Sequence, residues 1–357
     1  MIFFDITKTA ATAHNSGLTR VTRRLLAELQ ASAREHADVT PVIWKKRAWR
    51  DAATARPVTP TPADWLFTAE LFSEPEREGI TTFIDTARAT RACRLAAIFH
   101  DAIPLKFPEI TWPKSVQRAP AYMKLLANFD RILAVSRQSA AELADFWKWQ
   151  GLAPRATITQ IANGADFSPA PRTQTPAPAP APRALICLGI LEPRKNQTFL
   201  LDICASLWDE GLQFDLHLAG RVNPEFGHPT KEKIKRLRKK YRTLRHHESP
   251  TDTQLQTLYT QTRAAVFPTI AEGCGLPPLE AMWHGLPCVC SALPVLREYT
   301  DAGGCVNVPV NNFPAWQTAL RDILLDDAHH ARLRAEAMTR PLPTWSESAA
   351  TLRRALA

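Results

Sequence analysis

No stretch of the 357-residue chain approaches the roughly 18 to 20 apolar residues that a bilayer-crossing helix needs. The opening, MIFFDITKTA, lacks a basic segment, a long apolar stretch and a small-residue cleavage site, so no secretory signal is expected. The seven cysteines are scattered, and the only close pair, Cys288 and Cys290, lacks the C-x-x-C spacing of metal or redox sites. They read as reduced, mostly buried thiols of a cytoplasmic protein. Neither half carries G-x-G-x-x-G after its first strand-like run, which disfavours a dinucleotide-dependent oxidoreductase. An Asp-x-Asp triplet is absent too. His246, His247, Trp283 and His284 have no third ligand at metal spacing and read as packing or surface residues.

What is present is an ordinary globular mixture, 45% hydrophobic and 22% charged, which excludes wholesale disorder. At roughly 150 residues per domain the length suggests two domains. The net charge of +9 is local. Residues 231–247 hold nine Lys or Arg against one acid, Glu232, a surplus of 8, so the remaining 340 residues carry about +1. Proline is abundant at 29 residues, and six of them fall between Pro169 and Pro182. Such a stretch cannot donate ladder or helix hydrogen bonds and favours an extended conformation. Near mid-chain, with organised pattern on both sides, it predicts an interdomain linker over 169–182.

Both halves alternate strand-like and helix-like segments. Ile2 to Ile6 is a short apolar run, and Val21, Leu25, Leu26 and Leu29 then recur at helical spacing. Leu95 to Phe99 and Ile132 to Val135 predict further strands, with a helix over Ser139 to Phe146. In the second half, Ala184 to Leu188 predicts a strand and Thr198 to Trp208 a helix. Phe214 to Leu218, Ala264 to Phe267 and Pro287 to Cys290 repeat the strand pattern. The expectation is an α/β protein of two doubly wound, Rossmann-like domains, with ligands beyond the carboxyl ends of the strands in a central cleft. The predicted boundaries are 1–168, completed by a C-terminal helix over 343–357, and 183–342.

The densest chemical signal is the run from Phe267 to Met282, FPTIAEGCGLPPLEAM. It reads as a strand end, a glycine-containing loop and a helix opened by prolines, whose first-turn N–H groups point into the loop. Gly273 and Gly275 allow close backbone approach, and that first turn is a ready anion site. Glu272 and Glu280 bracket the loop; one carboxylate can hold a ribose diol and the other sugar hydroxyls. The plainer alternative is a glycine turn with Glu280 as an ordinary early-helix acid. The second signal is GILEPRKNQ, residues 189–197, where Lys195 follows the strand and can neutralise a departing phosphate. Its alternative is a solvated turn with surface cations.

Together these motifs resemble the retaining glycosyltransferases of family 4, which have the GT-B fold, over most of the chain. Glu272 to Glu280 matches that family's EX7E motif, and GILEPRKN looks like its diphosphate loop. His100-Asp101-Ala102-Ile103-Pro104 is similar to the HDxxP segment of mannosyltransferase-like members. ILAVSRQSAAEL, NGADFSP and the segment from Pro343-Thr344-Trp345-Ser346 into Ala349–Leu356 fit in order. The resemblance implies that Glu280 holds the nucleotide ribose, and that Lys195 with the backbone at Gly275 and Leu276 holds the diphosphate. Glu272 would bind donor-sugar hydroxyls, His100 would sit by the donor sugar, and Gly17 would let its loop approach the diphosphate. It further implies a nucleotide-sugar co-substrate, with GDP-mannose preferred, and a glycan or lipid-linked saccharide acceptor. No metal or other cofactor is expected; the missing Asp-x-Asp fits metal-independent GT-B chemistry.

Many members carry arginine directly after the loop glycine, where this chain has Ile190. Arg194 and Arg20 are the candidate replacements: Arg194 could point away as Lys195's neighbour, and Arg20, Arg23 and Arg24 could equally form a solvated face. Over Lys231 to Arg245, Ile234, Leu237 and Tyr241 recur at helical intervals among cations. This predicts a surface helix; its sharper reading is contact with anionic lipid at the inner face of the cytoplasmic membrane. Nucleic-acid binding is not expected, since no recognised motif accompanies the charge. A nucleotide-sugar epimerase or hydrolase of the same shape, or a non-catalytic sugar-nucleotide-binding module, remains as an alternative.

Overall fold

The computed structural model describes residues 1–12, 16–32, 38–166, 172 and 183–357. The expected linker over 169–182 therefore lies outside the described residues, apart from Arg172. The chain forms two compact units, Met1–Gly164 with Pro343–Ala357, and Ala165–Leu342.

The first unit is built on a seven-stranded sheet. Its strands are β1 (Ile2–Asp5), β2 (Val39–Lys45), β3 (Ala48–Asp51), β4 (Trp65–Thr68), β5 (Arg94–Phe99), β6 (Arg131–Ala134) and β7 (Thr157–Gln160). Their order is β3-β2-β1-β4-β5-β6-β7, parallel throughout except for the β2–β3 hairpin. Strands buried on both faces read as apolar runs, and β1 and β4 are buried at every position. The helix Gly17–Ser32 buries Val21, Leu25 and Leu29. The terminal helix Trp345–Leu356 packs against it, and Arg353 binds Asp38 at 2.6 Å and the Leu29 carbonyl at 3.0 Å. Gly164 is obligatory at this junction, because a Cβ there would lie 2.3 Å from the Trp345 backbone nitrogen.

The second unit has six parallel strands, β8 (Ala184–Leu188), β9 (Asp215–Ala219), β10 (Leu244–His247), β11 (Ala264–Phe267), β12 (Cys288–Ser291) and β13 (Cys305–Val308). Their order, β10-β9-β8-β11-β12-β13, reverses direction beside β8, the switch point at which such sheets open a ligand crevice. Core side chains cover both faces, with Leu200, Ile203, Leu207 and Trp316 on one and Leu255, Leu258 and Leu296 on the other. Two Rossmann-like α/β units are thus the observed architecture.

The basic stretch departs from the sequence expectation. The helix runs from His228 to Lys240 only, Tyr241 turns extended, and Leu244–His247 is the edge strand β10. The Tyr241 ring lies 4.7 Å from that of Trp208, and its hydroxyl donates to Asp209 at 2.6 Å, which draws the chain out of the helix. Of the seven cysteines, Cys93, Cys187, Cys204, Cys288 and Cys290 are buried and Cys274 and Cys305 half-buried. No helix among the described residues is long and apolar enough to cross a membrane.

Candidate active site

In the second unit the loops leaving the carboxyl ends of β8 and β11 meet. The β8 loop passes through a short turn, Pro193–Lys195, and enters the helix Gln197–Asp209 at Asn196. Asn196 is left-handed (φ 58°) and donates from Nδ2 to the Pro268 carbonyl at 3.1 Å, while the Ile270 amide donates to the Arg194 carbonyl at 2.8 Å. These bonds fix the two loops against each other before any ligand arrives.

The side chains then converge on Glu272. Lys195 Nζ lies 2.5 Å and Arg194 Nη1 3.1 Å from Glu272 Oε1, and Thr269 Oγ1 donates to the same oxygen at 2.7 Å. Arg194 thus turns inward, and its other nitrogen donates to Glu192 Oε1 at 2.8 Å. Two cations and two carboxylates balance in a site where Lys195 is 11% and Glu272 8% exposed. Burial lowers the pKa of Lys195 and Arg194 beside it adds to the shift, while Glu272 opposes both. For Glu272, burial would raise the pKa, but Lys195 and Arg194 together hold it below the usual carboxylate range. Lys195 Nζ also sits 4.9 Å from the Phe267 ring centroid, so the ammonium is held between a carboxylate and an aromatic face.

Past Glu272 the chain turns through Gly275, at φ +80°, into the helix Leu276–Trp283, with Pro277 and Pro278 in its first turn. A Cβ on Gly275 would lie 2.3 Å from Leu296 Cδ2 and 2.9 Å from Tyr299 Oη, so only glycine fits. Tyr299 Oη donates to the Gly275 carbonyl at 2.7 Å and braces the turn from behind. Glu280, on this helix, is 2% exposed. The structure therefore gathers Lys195, Arg194, Glu272, Gly273, Gly275, Leu276 and Glu280 onto two stitched loops and one helix of a single unit.

The other expected site residues belong to the first unit. His100 follows β5 directly, is buried, and its Nε2 lies 2.8 Å from the Ala69 carbonyl. A carbonyl only accepts, so Nε2 carries the proton and Nδ1 the lone pair. Burial pushes its pKa down to about 4, with the Ala69 bond opposing. Gly17 opens the helix Gly17–Ser32, and a Cβ there would meet nothing within 4 Å, so packing does not demand glycine. Arg20 is half-buried in the same first turn.

Sequence reasoning missed Thr269, Glu192, Asn196 and Tyr299. Each bonds to a loop 24 to 75 residues away, which leaves no periodic signal. Of these, only Asn196 carried a local cue, the tolerance of asparagine for left-handed backbone at a helix start.

Known proteins resemble this chain in both sequence and fold. Residues 174–340 match the family model described as glycosyl transferases group 1. The serotype-specific mannosyltransferase WbdA of Escherichia coli is 29% identical over 329 residues, covering 83% of this chain and 39% of WbdA. The chain thus spans well under half the length of that relative. The O-antigen chain mannosyltransferase B of Escherichia coli is 29% identical over 243 residues, 66% of this chain and 62% of that protein. Among solved structures, Anabaena Alr3699/HepE in complex with UDP-glucose superposes with a TM-score of 0.69 at 14% identity, covering 99% of both chains. Sucrose-phosphate synthase from Thermosynechococcus elongatus gives 0.67 at 16% identity, covering 99% of this chain and 97% of that one. With the two Rossmann-like sheets, the solved-structure likenesses give the chain the GT-B fold, and over residues 174–340 it is similar to the group 1 glycosyl transferases.

Proposed function

We propose that the protein is a retaining, metal-independent hexosyltransferase that moves a sugar, mannose by preference, from a nucleotide sugar to a glycan or lipid-linked saccharide during surface-polysaccharide synthesis. The observation that carries this reading is the convergence of Lys195, Arg194 and Glu272 at the carboxyl edge of β8 and β11, one helix start away from buried Glu280. That the relatives are mannosyltransferases supports mannose as the sugar; a UDP-sugar bound to a structural neighbour keeps UDP donors in the test.

In this reading Lys195 and Arg194 leave Glu272 for the donor diphosphate, whose charge grows as the bond from sugar C1 to the phosphate oxygen breaks. The electron pair goes to that oxygen, the acceptor hydroxyl bonds to C1 on the same face, and the leaving phosphate takes the hydroxyl proton. Glu272, released, accepts from sugar hydroxyls, and Glu280 accepts from the ribose. The amides at Gly275 and Leu276 add donors at the helix start. His100 presents a neutral imidazole, which positions the sugar by hydrogen bonding without adding charge. Catalysis then rests on positioning and electrostatics. Arg20 is the second diphosphate cation only if the first unit brings it there. Arg20→Ala with kcat/KM within about twofold of wild type, equivalent to about 0.4 kcal/mol, would remove it from the site.

A thermal-shift screen of GDP-mannose, GDP-fucose, UDP-glucose, UDP-galactose and UDP-N-acetylglucosamine tests the donor, since a specific ligand raises the melting temperature by mass action. The expected result is a shift with GDP-mannose that Lys195→Ala abolishes. An epimerase or hydrolase would consume the donor without an acceptor, and a binding module would bind it without turnover.

A further inference from the structure

Opposite in character to the open ion cluster of the second unit is a closed one in the first. Arg77, Asp5 and Glu70 are 2%, 0% and 4% exposed. Arg77 Nη1 donates to Asp5 Oδ2 and Nη2 to Glu70 Oε2, both at 2.6 Å. One guanidinium thus serves two buried carboxylates. Such an arrangement is costly to desolvate, and an apolar trio of similar volume would often be as stable, so stability alone does not account for it.

The remaining hydrogen bonds show what the cluster holds. Glu70 uses its oxygens on main chain: the Lys8 amide donates to Oε2 and the Thr9 amide to Oε1, both at 2.7 Å. Asp5 Oδ1 accepts from the Thr7 amide at 3.0 Å and the Thr7 hydroxyl at 2.6 Å, and that hydroxyl accepts from the Trp44 amide at 2.8 Å. Thr68 Oγ1 joins the two acids, donating to Asp5 Oδ2 at 2.7 Å and accepting from the Glu70 amide at 3.1 Å. The amides that Asp5 and Glu70 hold, those of Thr7, Lys8 and Thr9, all belong to the chain that leaves the carboxyl end of β1. That chain forms the short turn Thr7–Ala10 on the way to Gly17.

We infer that Asp5, Arg77 and Glu70 are positioning residues that fix the β1 loop of the first unit, residues 6–12, so that the Gly17 helix start is presented in one place. The inference rests on the proposed function for the purpose of that loop, but the anchoring itself is independent of it. Glu70 is the key member, because only a carboxylate accepts from two adjacent amides while also pairing with Arg77. Glu70→Gln keeps the volume, loses one acceptor oxygen and leaves Arg77 short of a charge.

The test is hydrogen exchange by mass spectrometry and steady-state kinetics on the full chain, comparing wild type, Glu70→Gln and the milder Thr68→Val. Amides of residues 6–12 are expected to exchange about tenfold faster in Glu70→Gln and by a smaller factor in Thr68→Val, with peptides of residues 183–342 unchanged. With GDP-mannose as donor, kcat per GDP-binding site is expected to fall about tenfold or more, while the Kd for GDP, held by the second unit, stays within about twofold. A merely structural defect would instead lower the number of GDP sites at unchanged kcat per site, and that result overturns the inference. Unaltered exchange in residues 6–12, or faster exchange with unaltered kcat, overturns it equally. Should wild type turn over none of the five nucleotide sugars of the donor screen, the functional reading fails, and the exchange data alone decide whether the cluster anchors the loop.

Discussion

The Glu272 carboxylate is engaged twice over, by the cations that a diphosphate would claim. Under the proposed function, donor binding is an exchange of partners, and each ion pair broken lowers affinity. Glu272→Gln removes the competitor and leaves Lys195 and Arg194 with surplus charge. It is expected to tighten GDP binding about threefold to tenfold, about 0.6 to 1.4 kcal/mol by titration calorimetry. In the same variant kcat is expected to fall about a hundredfold, about 2.7 kcal/mol, because the sugar hydroxyls lose their acceptor. Weaker GDP binding in this variant would show that Glu272 supports the cations instead of competing for them. His100 gives a second residue-scale expectation. Its folded pKa of about 4 lies below the ordinary 6.5, so folding favours the neutral ring. Its contribution is complete above pH 6.5 and is lost as pH falls from there toward 4. By linkage, wild type should lose about 2 to 3 kcal/mol more than His100→Gln between pH 7.5 and 4.5 in urea unfolding. Equal losses would mean that His100 is solvated.

Elements differed in how plainly the sequence announced them. β1, β5, β6, β8, β11 and β12 were legible because strands buried on both faces write apolar runs between polar loops, and β9 from Phe214, Leu216 and Leu218 alternating with Asp215 and His217. β7 and β10 were not: both lie at sheet edges, β7 exposes three of its four side chains, and β10 spells Leu-Arg-His-His inside a basic run. The helix Leu276–Trp283 was legible from its prolines and glycine, whereas the Tyr299 brace behind it was not. Gly275→Ala forces a Cβ into Leu296 and a side chain into left-handed backbone. A loss of about 2 to 4 kcal/mol is expected, read as a fall in melting temperature with GDP affinity reduced in the folded fraction. Unchanged melting would mean that the loop is free to rearrange. The basic helix His228–Lys240 rests Ile234 and Thr230 on the unit and exposes Arg236, Arg238 and Lys239. Lys233 and Lys240 are committed to Asp202 and Asp209 at 2.6 Å each, which leaves a smaller patch than the composition implied. The proposed lipid contact predicts cosedimentation with phosphatidylglycerol-containing vesicles that weakens with salt and with a triple change of Arg236, Arg238 and Lys239 to Gln. Absence of binding at low salt would contradict it.

At the scale of the whole molecule, two Rossmann-like units came from the alternation of strand and helix patterns, and the return of the terminal helix to the first unit came from the family resemblance. Side-chain pairing inside the site did not, since Lys195 and Glu272 are 77 residues apart and nothing local to either records the other. Retention is the central claim, and the anomeric configuration of the first product is its most direct measurement. The full chain, GDP-α-mannose and a mannose-terminated oligosaccharide should give a new α-linked mannose by proton NMR, with one GDP released per linkage and none without the acceptor. A β-linked product, or GDP release that ignores the acceptor, would contradict the account.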